Sequence, residues 1–256
     1  MTGASTGIGR ATAVALAQHG AHVALAARST GPLRETASLI ESQGREALVV
    51  PTDVTQHDQV RKLIAATIDR WSRIDILICN AGEYIRSSIA ELTVADVERS
   101  MAVNFYSALY SVLEVLPQMR RQARGHIVLV STMDAKKALP LDAPYVAAKS
   151  ALTGFGEVLR QEVHGDGVHV STIFPGRVDT AMIETLRVPW ISKKITSEAV
   201  ACAIIRAIRK RRLEVILPAQ AIGLDYLNTL SPRLGDWATR YFHLEGWEST
   251  HRADTS

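Results

Sequence analysis

The chain opens with Met1-Thr2-Gly3-Ala4-Ser5-Thr6-Gly7-Ile8-Gly9-Arg10, and these spaced glycines constrain the fold more than any later feature. Glycine allows a tight turn and a close approach of backbone to an anion. The free N–H groups and dipole of the helix that follows then hold a phosphate. Such a turn normally follows a buried strand at the centre of a doubly wound α/β sheet. Here only Met1 and Thr2 precede it. A full strand would add burial on the order of 10 kcal/mol, comparable to the net stability of a whole domain. It would also pair the backbone groups of both neighbouring strands. The expectation is therefore that the first strand is truncated and that the working polypeptide starts several residues earlier with an apolar run. The rival expectation is a short form that folds poorly or is repaired by another segment.

After the turn, short apolar runs alternate with amphipathic patterns. Strands are predicted at His22–Ala27, Glu46–Pro51, Asp75–Cys79, His126–Val130, Val168–Phe174 and Leu213–Leu217. Helices are predicted at Leu33–Gln43, Gln56–Trp71, Val94–Arg121, Ala143–His164 and Ser197–Arg209. The strands are too apolar on both faces for an open antiparallel sheet, which points to a buried parallel sheet flanked by helices. This is a Rossmann-type α/β fold. Residues 1–217 form the expected dinucleotide-binding and catalytic domain, and 218–256 a C-terminal helical extension.

Nearly half the residues are hydrophobic, enough for a full core, and the net charge is only +3. That balance argues against nucleic acid as a partner. The basic run Arg209-Lys210-Arg211-Arg212 closes a helix pattern, where cations suit the macrodipole. Two cysteines, Cys79 and Cys202, make no disulfide framework and fit a reducing, cytoplasmic setting. No apolar stretch of membrane-spanning length occurs, and no metal site is expected.

Further motifs follow the glycine turn: Thr52-Asp53-Val54, Asn80-Ala81-Gly82, Asn104, Tyr145-x-x-x-Lys149 and Pro175-Gly176-x-Val178-x-Thr180. Their order and spacing over about the first 215 residues resemble the classical short-chain dehydrogenase/reductase family. The resemblance implies an oxidoreductase that interconverts a carbonyl and a secondary alcohol on a small molecule with a nicotinamide cofactor, usually as a homo-oligomer. It implies cofactor contacts from Gly3, Ser5, Thr6, Gly7, Ile8 and Gly9, from Asp53 and Val54 toward adenine, and from Asn80, Ala81 and Gly82. Pro175 and Gly176 would open the loop in which the Val178 backbone and the Thr180 hydroxyl fix the carboxamide, and Tyr145 and Lys149 would face the nicotinamide ribose. It also implies that Asn104 helps hold a proton-relay water near Lys149.

The second strand ends Ala26-Ala27-Arg28-Ser29, with no carboxylate to accept the ribose 2′-OH. Arg28 offers a planar cation suited to a 2′-phosphate, with Ser29 as a second donor, so NADP(H) is favoured over NAD(H). The competing reading has Arg28 stacking on adenine in an NAD enzyme.

Four residues apart on a helix, Tyr145 and Lys149 share a face. An ammonium and an oxidised nicotinamide would both lower the phenol pKa, letting Tyr145 act as acid or base. The family serine falls at Thr132, thirteen residues before Tyr145, with Ser131 as the alternative. Threonine keeps a donor hydroxyl, and its methyl narrows the pocket. The departure at Thr132 and the incomplete N-terminus keep a second class open, a catalytically silent dinucleotide-binding or scaffolding protein.

Met182, Leu186, Pro189 and Trp190 are the expected lid, with Met133, Leu139 and Pro140 facing it, so an apolar or bulky substrate is expected. In the tail, Leu227, Leu230, Leu234, Trp237 and Tyr241 form a helical stripe divided by Pro232. It suits packing against the body or a subunit partner. The competing role is membrane-surface contact aided by Arg233 and Arg240. His251–Ser256 is expected to be disordered.

Overall fold

The computed structural model describes residues 1–248. The parallel strands are β1 (Val23–Ala27), β2 (Ala47–Pro51), β3 (Ile76–Cys79), β4 (Gly125–Val130) and β5 (Val168–Pro175). A short β6 (Leu186–Arg187) precedes β7 (Glu214–Leu217), and β8 (Trp247–Glu248) closes the described chain. The parallel strands form two pieces, β1–β2 and β3–β4–β5–β7. In the gap between them lie only Met1 and Thr2.

These two residues join the pieces. The Thr2 amide donates to the Ile78 carbonyl at 3.0 Å on one side. On the other, the Ala26 amide donates to the Met1 carbonyl at 3.0 Å, and the terminal amine donates to the Ala24 carbonyl at 2.8 Å. The first strand position is thus held by these two residues alone. The core nevertheless runs on across the gap: Leu25, Ile78, Val128 and Ile173 belong to one buried cluster.

Helices cover both faces, as buried parallel strands require. On one face lie α1 (Gly7–Gln18), α2 (Thr30–Glu41) and, later in the chain, a helix at Ser197–Lys210. Their Leu16, Leu33, Ile40, Val200 and Ile204 side chains pack on the cluster just described. Opposite them lie α3 (His57–Trp71), α4 (Val94–Met101), α5 (Ser107–Arg121) and α6 (Ala143–Glu162). There Ile64, Val112, Val115, Leu152 and Leu159 meet Leu77, Ile127 and Leu129. The alternation of Ile127 and Leu129 to one face and Val128 and Val130 to the other follows the two-residue period of β4. The helix Ser197–Lys210 is α7.

The expected helix Val94–Arg121 is not continuous. A single π turn, Ala102–Tyr106, separates α4 from α5, and it carries Asn104. Such one-turn widenings occur often at functional sites. Helix α5 runs through Pro117 to Arg121.

Beyond β7 come α8 (Ala221–Leu230) and α9 (Pro232–Tyr241), divided at Pro232 as expected. Of the expected stripe, only Leu227 is half-buried against this chain. Leu230, Leu234, Trp237 and Tyr241 are exposed, because α9 turns Gly235, Ala238 and Thr239 inward instead. A side chain at Gly235 would meet Asn228 Oδ1 at 2.6 Å, so glycine permits the close approach of α8. Strand β8 pairs antiparallel with β6. Among the described residues no helix is long and apolar enough to cross a membrane. The expectation for His251–Ser256 lies outside the described residues.

One buried polar pair gives the fold a pH response. His126 on β4 is buried, and its Nε2 lies 2.8 Å from Ser171 Oγ on β5. The Ser171 hydroxyl donates to the Arg212 carbonyl, so it accepts from Nε2–H of a neutral imidazole. Burial, then His169 and Arg211, lower the His126 pKa to about 4. Between that value and the ordinary 6.5 the unfolded chain binds the extra proton, so stability falls as pH falls through this window. The expected share of His126 is on the order of 3 kcal/mol between pH 7 and pH 4. Urea unfolding of the parent and of His126→Asn isolates it: the variant should lose this part of the slope, and identical slopes would contradict the assignment.

Candidate active site

A cleft of about 550 Å³ opens at the carboxyl ends of β1, β3, β4 and β5, where ligands of open α/β sheets bind. The glycine turn forms its floor. Gly3 and Gly7 have φ of +65° and +52°, a region that disfavours a side chain. At Gly9 a Cβ would lie 1.8 Å from the Gly3 carbonyl oxygen, so only glycine lets α1 start here. At Gly3 a Cβ would come within 2.8 Å of Ala81 Cα and Asn80 Nδ2. Asn80 fastens the turn from above, its Nδ2 donating to the Thr2 and Gly3 carbonyls at 3.3 and 3.1 Å. The amides of Asn80 and Ala81 both donate to Thr2 Oγ1. No side chain caps the N-terminus of α1, and no acidic residue sits in its first turn. The helix therefore presents free N–H groups and a positive dipole end to the cleft, as a pyrophosphate requires. The cradle fits a dinucleotide.

Ser5, Thr6, Gly7 and Ile8 line this floor, and Gly9 lies behind it. At one end the cleft is lined by Arg28, Ser29, Asp53 and Val54. Arg28 forms no ion pair among the described residues. Asp53 Oδ1 accepts from the Thr55 amide and hydroxyl at 3.0 and 2.7 Å, which shapes that edge. Pro175, Gly176, Val178 and Thr180 line the far wall. Thr180 also abuts the floor: its Cγ2 lies 3.0 Å from where a Gly7 Cβ would be.

At the other end lie Thr132, Tyr145 and Lys149. Tyr145 and Lys149 rise from the first two turns of α6, and Thr132 follows β4 directly. The Lys149 ammonium is buried and donates to the Val130 carbonyl at 2.8 Å. Burial lowers its pKa to about 8. Asn104 lies just behind the cleft: its Nδ2 donates to the Glu83 carbonyl at 2.8 Å and its Oδ1 accepts from the Glu83 amide at 3.1 Å. Gly82 sits between the two groups, since a Cβ there would meet Asn104 Oδ1 at 2.9 Å and Lys149 Nζ at 3.6 Å.

The phenol of Tyr145 differs from expectation. Burial and the nearby Asp134 carboxylate push its pKa above the ordinary value, and the hydrogen bond with Thr132 pulls less strongly the other way. Lys149 does not offset this, because its ammonium is committed to Val130 and lies 5.9 Å from the Tyr145 ring centre. The two candidate hydroxyls also separate. Ser131 Oγ is taken by the Lys149 carbonyl and Thr153 Oγ1, at 3.2 and 2.9 Å. Thr132 Oγ1 accepts from the Asp134 amide and donates to Asp134 Oδ2, both at 3.2 Å, beside Tyr145.

A charged cluster that the motifs did not reveal supports this end. Asp142, fully buried at the N-cap of α6, accepts from the Tyr84 hydroxyl at 2.5 Å and from Arg177 at 3.4 Å. Arg177 also donates to the Tyr84 oxygen at 2.9 Å, and Tyr84 meets the Tyr145 ring edge-to-face at 5.2 Å. Burial raises the Asp142 pKa to about 6, against the pull of Arg177. The signal in the sequence was a charge at the variable position of Pro175-Gly176-x-Val178. The expected lid is also partly corrected. Met182 lines the cleft, but Leu186 is buried in the β6–β8 pair and Trp190 is 86% exposed and does not line the cleft. Met133 and Leu139 line an adjoining cavity rather than the cleft, and Pro140 lines neither.

Residues 1–189 match the family model described as short chain dehydrogenase. Over 216 residues the chain is 35% identical to a fatty acyl-CoA reductase of Acinetobacter baylyi, covering 82% of this chain and 72% of that protein. It is similar in structure to an alcohol dehydrogenase of Thermococcus sibiricus complexed with 5-hydroxy-NADP: TM-score 0.77, 26% identity, covering 85% of this chain and 94% of that one. A short chain dehydrogenase/reductase of Burkholderia phymatum in complex with NAD shares the fold, with TM-score 0.85 and 24% identity over 91% of this chain and 93% of that one.

The separation of the two hydroxyls has a kinetic consequence. Thr132→Val should lower kcat for carbonyl reduction by about a hundredfold, the usual cost of one lost oxyanion donor. Ser131→Ala should stay within about threefold of the parent. Steady-state assays decide; the opposite pattern would give the role to Ser131.

Proposed function

This chain belongs to the short-chain dehydrogenase family and is an oxidoreductase acting on CH–OH with NAD(P), and from that premise we propose that it uses NADP(H) to interconvert a carbonyl and a secondary alcohol on an apolar or bulky small molecule. One observation carries the reading. Thr132, Tyr145 and Lys149 converge at one end of a cleft whose other end holds Arg28 and no carboxylate at the close of β1.

The cofactor supplies or accepts the hydride when bound; the residues handle everything else. The substrate oxygen lies between Thr132 and Tyr145. The Thr132 oxygen is held by the Asp134 amide, and in this reading its hydroxyl turns its proton from Asp134 Oδ2 to the substrate oxygen when substrate binds. The Tyr145 phenol, kept protonated by burial and Asp134, gives its proton to that oxygen in reduction. In this reading the resulting phenolate draws the Lys149 ammonium away from the Val130 carbonyl, its partner at rest, and is stabilised by it. Asn104 anchors Glu83 and so fixes Gly82 over the lysine. In this reading Asp142, Arg177 and Tyr84 position the start of α6 and the edge of the Tyr145 ring.

For the cofactor, Arg28 offers a permanent cation to the 2′-phosphate, and Ser29 a hydroxyl. The Thermococcus sibiricus enzyme, complexed with 5-hydroxy-NADP, and the relative named for acyl-CoA reduction support the cofactor and substrate class. The test is kcat/KM for NADPH against NADH across a panel of apolar ketones and aldehydes. NADPH should be favoured at least about tenfold, and Arg28→Asp should reverse the ratio. A preference for NADH in the parent would overturn the NADP(H) assignment. Tight cofactor binding with no turnover of any carbonyl would point to the silent protein.

A further inference from the structure

A second cavity of about 310 Å³ adjoins the cleft, and its walls come largely from the chain beyond β7. Met133 and Leu139 line it from the loop after β4, and Leu224, Leu227, Phe242 and Leu244 from the C-terminal helices and the turn after them. Its volume lies within the range of about 300–1,000 Å³ typical of small-molecule sites. Asp134, Gly176 and Arg177 line both the cavity and the cleft, so they form the neck between the two spaces.

The tail is fastened as a wall of this cavity. Lys137, buried at the cavity, donates to Asp236 of α9 at 2.5 Å. Asn228 of α8 donates to the Lys136 carbonyl at 3.3 Å, and Arg177 donates to the Glu245 carbonyl at 3.5 Å. Strand β8 then pairs with β6, the strand that follows the far wall of the cleft.

We infer that this cavity is the chamber for an unbranched aliphatic chain on the substrate. The inference rests on the carbonyl/alcohol reading of the cleft and adds the substrate class. The walls are mostly apolar, with Ser192, Lys193 and Gln220 among them, so a sugar or a nucleotide would lose most of its hydrogen bonds there. The charges at the neck and Lys137 beside it are already engaged: Arg177 by Tyr84 and Asp142, Lys137 by Asp236, and Asp134 by Thr132. They therefore call for no charged group on the ligand, and Lys193, which also lines the cavity, is exposed to solvent. A chain attached to the reacting carbon at Thr132 and Tyr145 reaches the chamber past Asp134 and Arg177, which a flexible chain does by rotation about its single bonds.

The experiment is reduction of methyl ketones from butan-2-one to dodecan-2-one by the full chain with NADPH. kcat/KM should rise about fourfold per methylene until the chamber is filled. Leu224→Trp and, independently, Leu227→Trp, each of which fills the chamber, should collapse the ratio of kcat/KM for decan-2-one over butan-2-one by at least about tenfold. Butan-2-one turnover with no rise along the series overturns the chamber and leaves the cleft reading intact. So does a rise that persists in both folded variants. If neither variant folds, the series on the parent decides. No turnover of any ketone or aldehyde, with NADPH or NADH, overturns the cleft reading and the chamber with it.

Discussion

The peptide of Thr2 is held between Ala26 of β1 and Ile78 of β3, and its side chain takes the amides of Asn80 and Ala81. That clamp orders the rest of the site. It closes the gap between the two parts of the sheet, aims the glycine turn at the start of α1, and brings the end of β3 over it. A dinucleotide cradle depends on backbone N–H groups held in place, and here a threonine and an asparagine hold them. Most of the burial that supports this arrangement lies in the flanking strands and helices, where Leu25, Ile78 and Ile173 share one core.

At the far end the balance is electrostatic. The site buries Lys149, Asp134 and Asp142 beside Arg177, with Tyr145 half-buried among them. Burial of each charge is costly unless it is paired and hydrogen-bonded. Asp142 is satisfied by Tyr84 and Arg177, Lys149 by the Val130 carbonyl, and Asp134 by Thr132. The result is a phenol held protonated next to a lysine that titrates close to neutrality. The arrangement suits a proton donor that loses its proton only as charge develops on the substrate oxygen.

Much of this was legible in the sequence, and the misses have physical reasons. The parallel strands end within a residue or two of their predicted limits because buried runs bounded by turns read clearly. The π turn at Asn104 was invisible, since one extra backbone residue leaves the apolar spacing almost unchanged. Packing of the stripe on the body fails for Leu230, Leu234, Trp237 and Tyr241, because large apolar residues dominate the periodicity. The packing of α9 is governed by Gly235, Ala238 and Thr239, whose small size permits contact. Tyr145, Lys149 and Thr132 converge as the motif spacing implied. The Asp142–Arg177–Tyr84 cluster joins segments far apart in sequence, a juxtaposition that no local pattern encodes.

The central claim is that the Tyr145 hydroxyl moves the proton while a dinucleotide lies on the glycine turn. Tyr145→Phe tests it most directly, because it keeps the ring against Tyr84 and removes only the oxygen. The account predicts a protein that still binds NADPH while its turnover of a carbonyl substrate falls at least about a hundredfold. Turnover at the parent rate would contradict it.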